Sequence, residues 1–223
     1  MDSNHTKNIK INSKKPQLEL LRNVAEIIIS DGVIGYPTET VYGLGANALS
    51  DIAVEKVFEL KGRERNKPIL IICSDIEQVK SLVSSFPAYA EMLAAAFWPG
   101  ALTMVLRADP RLSRLLLGGG NQIGIRIPGN NICLELLKIC GVPITSTSAN
   151  ISGQKNPISA LEVRENFGNK LDLIIDGGNS QSRIPSTVVV VEKDTVKIIR
   201  EGAIPKLKIE QVIGNFTDEK ETR

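Results

Sequence analysis

The sequence predicts an α/β (α+β) protein in which helices cover a mixed, twisted and mostly open sheet. Stretches with apolar residues at helical spacing interleave with short apolar runs typical of buried strands. Near the C-terminus, two such runs are separated by a short turn around Lys193 and Asp194, which predicts a hairpin. At least one strand pair is therefore antiparallel, and the sheet must be mixed.

The elements of the N-terminal half follow from apolar spacing and capping residues. Ser50 offers the N-cap of one helix, and Ser74 with Glu77 has the spacing of a capping box. Pro99 and Gly100 end an alanine-rich helix. The predicted order is a helix over residues 16–30, a strand over 33–36, a helix over 51–61, a strand over 69–73, a helix from 75, a helix over 88–97 and a strand over 102–107.

The C-terminal half is read in the same way. Ser159 and Glu162 repeat the capping-box spacing, and Gly141 and Gly168 end helices. The predicted order is a strand over residues 123–127, a helix over 132–140, a strand over 143–147, a helix over 160–167, and strands over 171–175, 187–191 and 196–200.

The chain has no internal repeat and no linker-like stretch in its middle, which favours one domain over residues 16–205. We expect a flexible polar tail over 1–15 and a C-terminal tail over 206–223. Hydrophobic residues make up 42% of the 223 residues, and no apolar run approaches the ~20 residues that cross a bilayer. Since the N-terminus also has no apolar stretch of signal-peptide length, we expect a cytoplasmic protein with no membrane partner.

Histidine and cysteine usage excludes several classes of chemistry. The only histidine is His5, so Ser-His-Asp and Cys-His nucleophile schemes and the usual zinc sites are excluded. Cys73, Cys133 and Cys140 form no CxxC pair and lie in apolar stretches, which predicts reduced core thiols. We therefore expect no metal ligands from protein side chains. The net charge of +2 neither demands nor forbids a nucleic-acid partner.

A polar turn follows the strand at residues 33–36. It contains Thr38, Thr40 and Tyr42, whose hydroxyls lie where open sheets usually bind ligands. A β-turn with incidental hydroxyls is the alternative.

A cationic cluster follows the second helix. Lys61, Arg63, Arg65 and Lys67 lie within seven residues and can neutralise phosphates. The alternatives are a solvated loop and cations that complement the helix dipole.

A polar run occupies residues 145–153. It includes Ser146, Ser148 and Asn150, and such groups are costly at the end of a core strand unless they have partners. Hydroxyls and backbone N–H groups suit phosphate or carboxylate oxygens. Simple turn chemistry is the alternative.

Arg126, Ser186 and Arg200 are further candidates. Arg126 alternates with Ile125 and Ile127, so it faces away from two core residues and needs an anionic partner if it is covered. An exposed sheet face or an internal ion pair is the alternative.

These segments together resemble the YrdC-type threonylcarbamoyl-AMP synthase family. The stretches occur in one order over residues 32–204, and six in order are highly specific. They are YPTETVYGLGANAL, KGRERNKPI, FWPGALT, GIRIP, SANISG, and STVV followed by REGAI. The resemblance implies the YrdC-like fold in its short, single-domain form.

The resemblance also implies site residues. The family's K-x-R and S-x-N pairs fall on Lys61, Arg63, Ser148 and Asn150, which would be catalytic. By similarity, ATP contacts would come from Arg63, Lys67, Gln122, Ser148, Asn156 and Arg200. L-threonine contacts would come from Thr40, Arg126, Ser146 and Ser186, with Thr38 and Tyr42 in the same pocket. Two positions depart from the family pattern: Ile72 stands where some members have histidine, and Glu64 stands where proline is frequent.

The implied activity is that of a nucleotidyltransferase. It joins L-threonine, bicarbonate and ATP, with Mg²⁺ bridging phosphate oxygens, into threonylcarbamoyl-AMP and pyrophosphate. A separate transferase complex then moves the threonylcarbamoyl group to adenosine 37 of tRNA. The competing interpretations are a carbamoyltransferase that uses carbamoyl phosphate and an RNA-binding module. Near-neutral charge and nine aromatic residues argue for at most weak RNA binding.

Overall fold

Strands and helices alternate through the protein, as the computed structural model shows for residues 6–180 and 183–214. The strands are β1 (Lys7–Lys10), β2 (Ile34–Tyr36), β3 (Gly43–Gly45), β4 (Ile71–Ile72), β5 (Leu102–Arg107), β6 (Gln122–Arg126), β7 (Ile144–Thr145), β8 (Thr147–Ser148), β9 (Leu173–Asp176), β10 (Thr187–Val191) and β11 (Val196–Arg200). The helices are α1 (Leu18–Ile29), α2 (Asp51–Lys61), α3 (Ile76–Ser81), α4 (Ala88–Phe97), α5 (Asn131–Cys140), α6 (Ala160–Phe167) and α7 (Lys206–Ile213). The predicted α/β class is confirmed.

Within these residues the strands form two mixed sheets instead of the single sheet that the sequence predicts. One has the order β1-β9-β2-β3-β8, and the other has the order β11-β10-β5-β6-β4-β7. Both combine parallel and antiparallel pairs, and the predicted hairpin between β10 and β11 is confirmed. The predicted strand over 143–147 divides into β7 and β8, which belong to different sheets. The chain therefore crosses from one sheet to the other at Ser146.

Strand β3 was not predicted from the sequence, because glycine is a poor strand former. Its glycines are nevertheless required by packing. A Cβ at Gly43 or at Gly45 would lie 2.9 Å from the ring of Tyr36, whose side chain is 1% exposed. Close approach of β3 to that ring therefore selects residues without a side chain.

Capping residues set the starts of several helices. Ser50 Oγ accepts from the Ala53 N–H, and Ser159 Oγ accepts from the Glu162 N–H, as predicted. Helix α3 differs from the prediction, because Asp75 rather than Ser74 accepts from the N–H three residues on, that of Gln78. A carboxylate at this position also complements the helix dipole.

Both predicted tails contain folded segments. Lys7–Lys10 pairs in parallel with β9, and Ile11 is 2% exposed, so the prediction of a flexible tail over 1–15 is wrong for residues 7–11. In the predicted C-terminal tail, Lys206–Ile213 forms α7, because Ile209 is fully buried and Val212 packs against the core. Residues 1–5, which include His5, and residues 215–223 lie outside the described part of the chain.

The cysteine prediction is confirmed. Cys73, Cys133 and Cys140 are free and buried, and burial raises the pKa of the Cys140 thiol to about 12. Helices α1 and α5 pack together over one apolar cluster that contains Leu21, Ile132 and Leu137. Among the described residues, no helix is long and apolar enough to cross a membrane.

Candidate active site

A cleft of about 790 Å³, counted with its open mouth, is lined by residues of both sheets. The lining residues come from strands β3, β4, β5, β6 and β11 and from four connecting segments. These segments are the β2–β3 turn, the α2–β4 loop, residues 146–156 around β8, and the residues just before β10. Its residues are Thr38, Thr40, Val41, Tyr42, Gly43, Arg63, Pro68, Leu70, Ile71, Thr103, Arg126, Ser146, Thr147, Ser148, Asn156, Pro185, Ser186 and Arg200. All four polar segments singled out in the sequence therefore contribute to one cavity.

In the β2–β3 turn, the hydrogen bonds fix which threonine hydroxyl donates and which accepts. Thr38 Oγ1 donates to the Val41 carbonyl at 2.6 Å, and a hydroxyl has only one proton. Thr40 must therefore be the donor in the 2.9 Å contact between the two hydroxyls. Arg126 Nη1 in turn donates to Thr40 Oγ1 at 3.1 Å. Toward the cleft, Thr40 thus presents an acceptor and no proton.

Lys61 lies at the C-terminal end of α2 and is 2% exposed. Its Nζ donates to the carbonyl of Ser148 at 2.5 Å, the carbonyl of Asn150 at 2.7 Å and Asn150 Oδ1 at 3.3 Å. Burial, followed by the positive charge of Arg63, lowers the pKa of Lys61 from 10.5 to about 7. The ammonium thus clamps the 148–150 loop to α2.

Gly62 turns the chain after Lys61 in the left-handed conformation, with φ 57°. The turn brings Arg63 to the cleft, where its Nε and Nη2 donate to the carbonyls of Lys67 and Pro68 at 3.2 and 2.9 Å. Burial lowers the pKa of Arg63 from its ordinary value. The guanidinium is therefore oriented by backbone oxygens.

The 148–154 loop is held by its own side chains. Ser148 Oγ donates to Asn150 Oδ1 at 2.6 Å, and Asn150 Nδ2 donates to the Gln154 carbonyl. Asn150 is 4% exposed. Because Asn150 Oδ1 also accepts from Lys61, the K-x-R and S-x-N segments form one connected network.

Arg200 and Ser186 meet on another part of the cleft wall. Arg200 Nε and Nη2 donate to the Ser186 carbonyl at 3.3 and 2.9 Å, and Ser186 Oγ lies 2.8 Å from Thr103 Oγ1. Burial, followed by the positive charge of Arg126, lowers the pKa of Arg200. Arg63, Arg126 and Arg200 together make the cleft a site for anions, since guanidinium groups bind carboxylate and phosphate oxygens in pairs.

Residues 26–202 match the Sua5/YciO/YrdC family model, which is described as telomere recombination. The chain belongs to this family. A threonylcarbamoyl-AMP synthase of Pyrococcus abyssi is 42% identical over 88% of this chain and 58% of that protein, and one of Bacillus subtilis is 37% identical over 92% and 59%. The chain thus spans about three fifths of the length of these relatives. A putative threonylcarbamoyl-AMP synthase of Mycobacterium tuberculosis is 35% identical over 80% of this chain and 82% of that protein.

Solved structures agree with the family assignment. Sua5 of P. abyssi complexed with L-threonine has a TM-score of 0.91 at 40% identity, covering 94% of this chain and 61% of that one. YciO of Escherichia coli has a TM-score of 0.82 at 28% identity, covering 90% and 97%.

Most residues taken from the family resemblance gather at the cleft. Its walls include Thr38, Thr40, Tyr42, Arg63, Arg126, Ser146, Ser148, Asn156, Ser186 and Arg200. An adjoining cavity shares Arg63, Ser148 and Asn156 with the cleft and adds Lys61, Lys67 and Asn150. The two cavities therefore adjoin across these three shared residues.

Gln122 is not brought into this region. It lies at the start of β6, four residues before Arg126, and lines a separate cavity with Arg107, Asn121 and Lys193. Four residues along a strand span about 13 Å. Gln122 stays a prediction as an ATP contact.

The two positions that depart from the family pattern have clear surroundings. Ile72 is 1% exposed and belongs to an apolar cluster with Tyr36, Cys133 and Ile144. Glu64 accepts from Lys67 Nζ at 2.7 Å, and this contact lowers the pKa of Glu64. Lys67 thus shares its charge with a neighbouring carboxylate.

Sequence reasoning missed Thr103 and Glu39. Thr103 is 1% exposed in β5 and holds the Ser186 hydroxyl; it ends the FWPGALT stretch, but its place in a predicted strand gave no sign of a role in the site. Glu39 lies inside the motif of residues 36–45, and its carboxylate is 3.6 Å from Arg126 Nη1. Among the described residues, no three His, Cys, Asp or Glu side chains cluster as a metal site.

Proposed function

We propose that this protein condenses L-threonine, bicarbonate and ATP into threonylcarbamoyl-AMP and pyrophosphate. One observation supports this most. In this member of the family, the Arg126–Thr40 pair and the network of the K-x-R and S-x-N segments surround the same cationic cleft. The names of the P. abyssi and B. subtilis relatives point to the same reaction.

The amino acid would lie on the side of the cleft formed by Arg126. A guanidinium suits the threonine carboxylate, and Arg126 is nearly fully buried, which strengthens the attraction. Thr40 can accept only, so it would take an N–H of the amino group. Ser146 and Ser186 would orient the rest of threonine, with Thr38 and Tyr42 supporting the wall.

ATP would extend along the cationic wall. Arg63, Lys67 and Arg200 would neutralise phosphates, while Ser148 and Asn156 would contact the nucleotide. In this assignment, the main role of Lys61 is to hold the 148–150 loop, because oxygens of that loop already accept hydrogen bonds from its ammonium group. Asn150 completes the same clamp.

Mg²⁺ would enter with ATP and be held by phosphate oxygens. When bound, it would neutralise charge on the triphosphate. No protein ligand is assigned to it, and the cleft wall contributes guanidinium groups rather than carboxylates.

The reaction needs no protein nucleophile. Bicarbonate loses hydroxide to give CO2, and the threonine nitrogen forms a C–N bond with that CO2, giving a carbamate. The proton lost from the nitrogen combines with the hydroxide as water. A carbamate oxygen then attacks the α-phosphorus, and the bond to pyrophosphate breaks. Three reactants that each carry a negatively charged group must be brought together, and positioning of this kind is worth ~7–11 kcal/mol. The arginines of the cleft supply the opposing charge.

We further propose that the product passes to a tRNA-modifying transferase complex, for the N6-threonylcarbamoyladenosine at position 37 of tRNA. The product is a reactive mixed anhydride, so a cytoplasmic acceptor must take it up quickly. Any direct RNA contact of this chain would be weak, given its net charge of +2.

Pyrophosphate release from ATP tests the proposal. We expect release to require both L-threonine and bicarbonate, and to fall sharply when serine replaces threonine. Release that carbamoyl phosphate drives without threonine would replace the proposal with carbamoyl transfer. If no release occurs and RNA binds in a salt-sensitive manner, an RNA-binding role would take its place.

A further inference from the structure

The carboxylate of Glu39 is buried without hydrogen bonds. Both oxygens have less than 1 Å² of accessible surface, and no donor among the described residues lies within hydrogen-bond reach of either. Its ion-pair contact is with Arg126 Nη1 at 3.6 Å, which is too long for a hydrogen bond. A carboxylate in this state lowers the stability of the fold.

An ion pair that serves stability looks different in the same protein. Glu162 and Arg183 are joined by two contacts, at 2.6 and 3.1 Å, on a half-buried surface. This two-pronged geometry is the strong form of the arginine–carboxylate pair. Glu39 and Arg126 are more deeply covered and yet worse paired. The position of Glu39 therefore does not follow from stability.

The surroundings of Glu39 show which group its charge acts on. Tyr36 and Cys133 lie near it, and burial followed by the Glu39 charge raises the pKa of the Cys133 thiol. Arg126 is the nearby cation. Its Nη1 is shared between Thr40 and Glu39, and both Arg126 and Thr40 line the cleft.

We propose that Glu39 is a positioning residue for Arg126. Its charge holds Nη1 against Thr40 and so leaves the remaining N–H groups of the guanidinium turned toward the cleft, ready for a carboxylate. Glu39 does not itself line the cleft, so it acts through Arg126. The inference rests on the proposed function in one respect, that this carboxylate belongs to L-threonine.

The test compares Glu39→Gln with the wild type and with Glu59→Gln, which removes the same charge from an exposed position on α2. Three quantities are measured: the Kd for L-threonine by calorimetry, the free energy of unfolding in urea, and the rotation rate of the Arg126 guanidinium from ¹⁵N spectra assigned with Arg126→Lys. A Glu39→Asp variant, which keeps the charge on a shorter stem, is measured alongside.

We expect Glu39→Gln to weaken threonine binding about tenfold, because a charge-assisted orientation is lost. The KM for ATP should change by less than about twofold, the protein should be equally or more stable, and the guanidinium should rotate faster. Glu39→Asp should recover part of the affinity, and Glu59→Gln should match the wild type.

Two results overturn the inference. One is an unchanged threonine Kd together with unchanged guanidinium rotation. The other is a loss of stability with equal losses for ATP and threonine, which indicates a merely structural role. If the wild type binds no threonine but rotation still accelerates in Glu39→Gln, the proposed function fails and the positioning role stands.

Discussion

Replacing Lys61 with methionine separates its role in the loop from its role in stability. Methionine fills similar space but cannot donate, so the carbonyls of Ser148 and Asn150 and the Asn150 amide oxygen lose a partner. An unpaired buried acceptor costs about 1–3 kcal/mol, which gives roughly 3–9 kcal/mol for the group. Against this, the pKa of Lys61 is lowered from 10.5 to about 7, so removing the buried charge regains roughly 5 kcal/mol.

The two effects oppose each other, so we expect Lys61→Met to change the free energy of unfolding by between a gain of about 2 kcal/mol and a loss of about 4 kcal/mol. Turnover should fall at least ~100-fold, because the loop that carries Ser148 and Asn150 loses its clamp. Lys56→Met is the matched control. Lys56 lies on the same helix, is exposed, and donates to the Asp31 carbonyl at 2.8 Å, away from the cleft.

The assay is pyrophosphate release at saturating L-threonine and bicarbonate, with urea unfolding of the same preparations. Full turnover by Lys61→Met would refute the reasoning, since it would show that the loop keeps its arrangement without the ammonium. A collapse in stability far beyond the control would also refute it, because the burial cost of the charge would then be much smaller than its lowered pKa implies.

The remaining predictions concern Thr40, the proton on Lys61, and Thr145. Thr40→Val should raise the KM for L-threonine about tenfold, whereas Thr40→Ser, which keeps the acceptor oxygen, should stay near the wild-type KM. Equal effects of both variants would count against the acceptor role derived for Thr40. At pH 8 the Lys61 amine is largely neutral, and nearby phosphates raise its pKa, so ATP binding should take up a proton in calorimetry across buffers of different ionisation enthalpy. Lys61→Met should abolish this uptake, and a persistent uptake would assign the proton elsewhere. Thr145→Val should lower the free energy of unfolding by about 2–5 kcal/mol, because the hydroxyl accepts from the Ala46 N–H and donates to the Leu44 carbonyl; an unchanged urea midpoint would contradict this.

Helices were predictable where the sequence carries their determinants locally. Helix α1 shows its buried stripe through Leu21, Val24 and Ile28, and Ser50 and Ser159 cap the helices that follow them. Strand β1 carries no such signal. It is polar and exposed, and it exists because β9, more than 160 residues later, offers an edge for pairing. A single sequence does not reveal such a partner.

The same limit applies to the site. The residues of the cleft were predictable because six motifs occur in family order, and the hydroxyls and cations stand in those motifs. Thr103 also stands in one of these motifs, but its role in the site was not predictable, because only the fold brings β5 within 2.8 Å of Ser186. Lys61 shows a subtler difference. Its residue type suggests a phosphate ligand, but its ammonium is already occupied by the loop carbonyls.

The crossing at Ser146 explains why the polar run of residues 145–153 is also the wall of the cleft. Thr145 pairs with Ile71 in one sheet, and Ser148 pairs with Gly43 in the other. A chain that changes sheets within three residues interrupts both ladders, and the backbone groups at the break need other partners. Lys61 Nζ donates to the Ser148 carbonyl, and the Ser146 N–H donates to the Leu70 carbonyl. Ser146, Thr147 and Ser148 of this crossing therefore line the cleft, where the three reactants of the proposed reaction would meet.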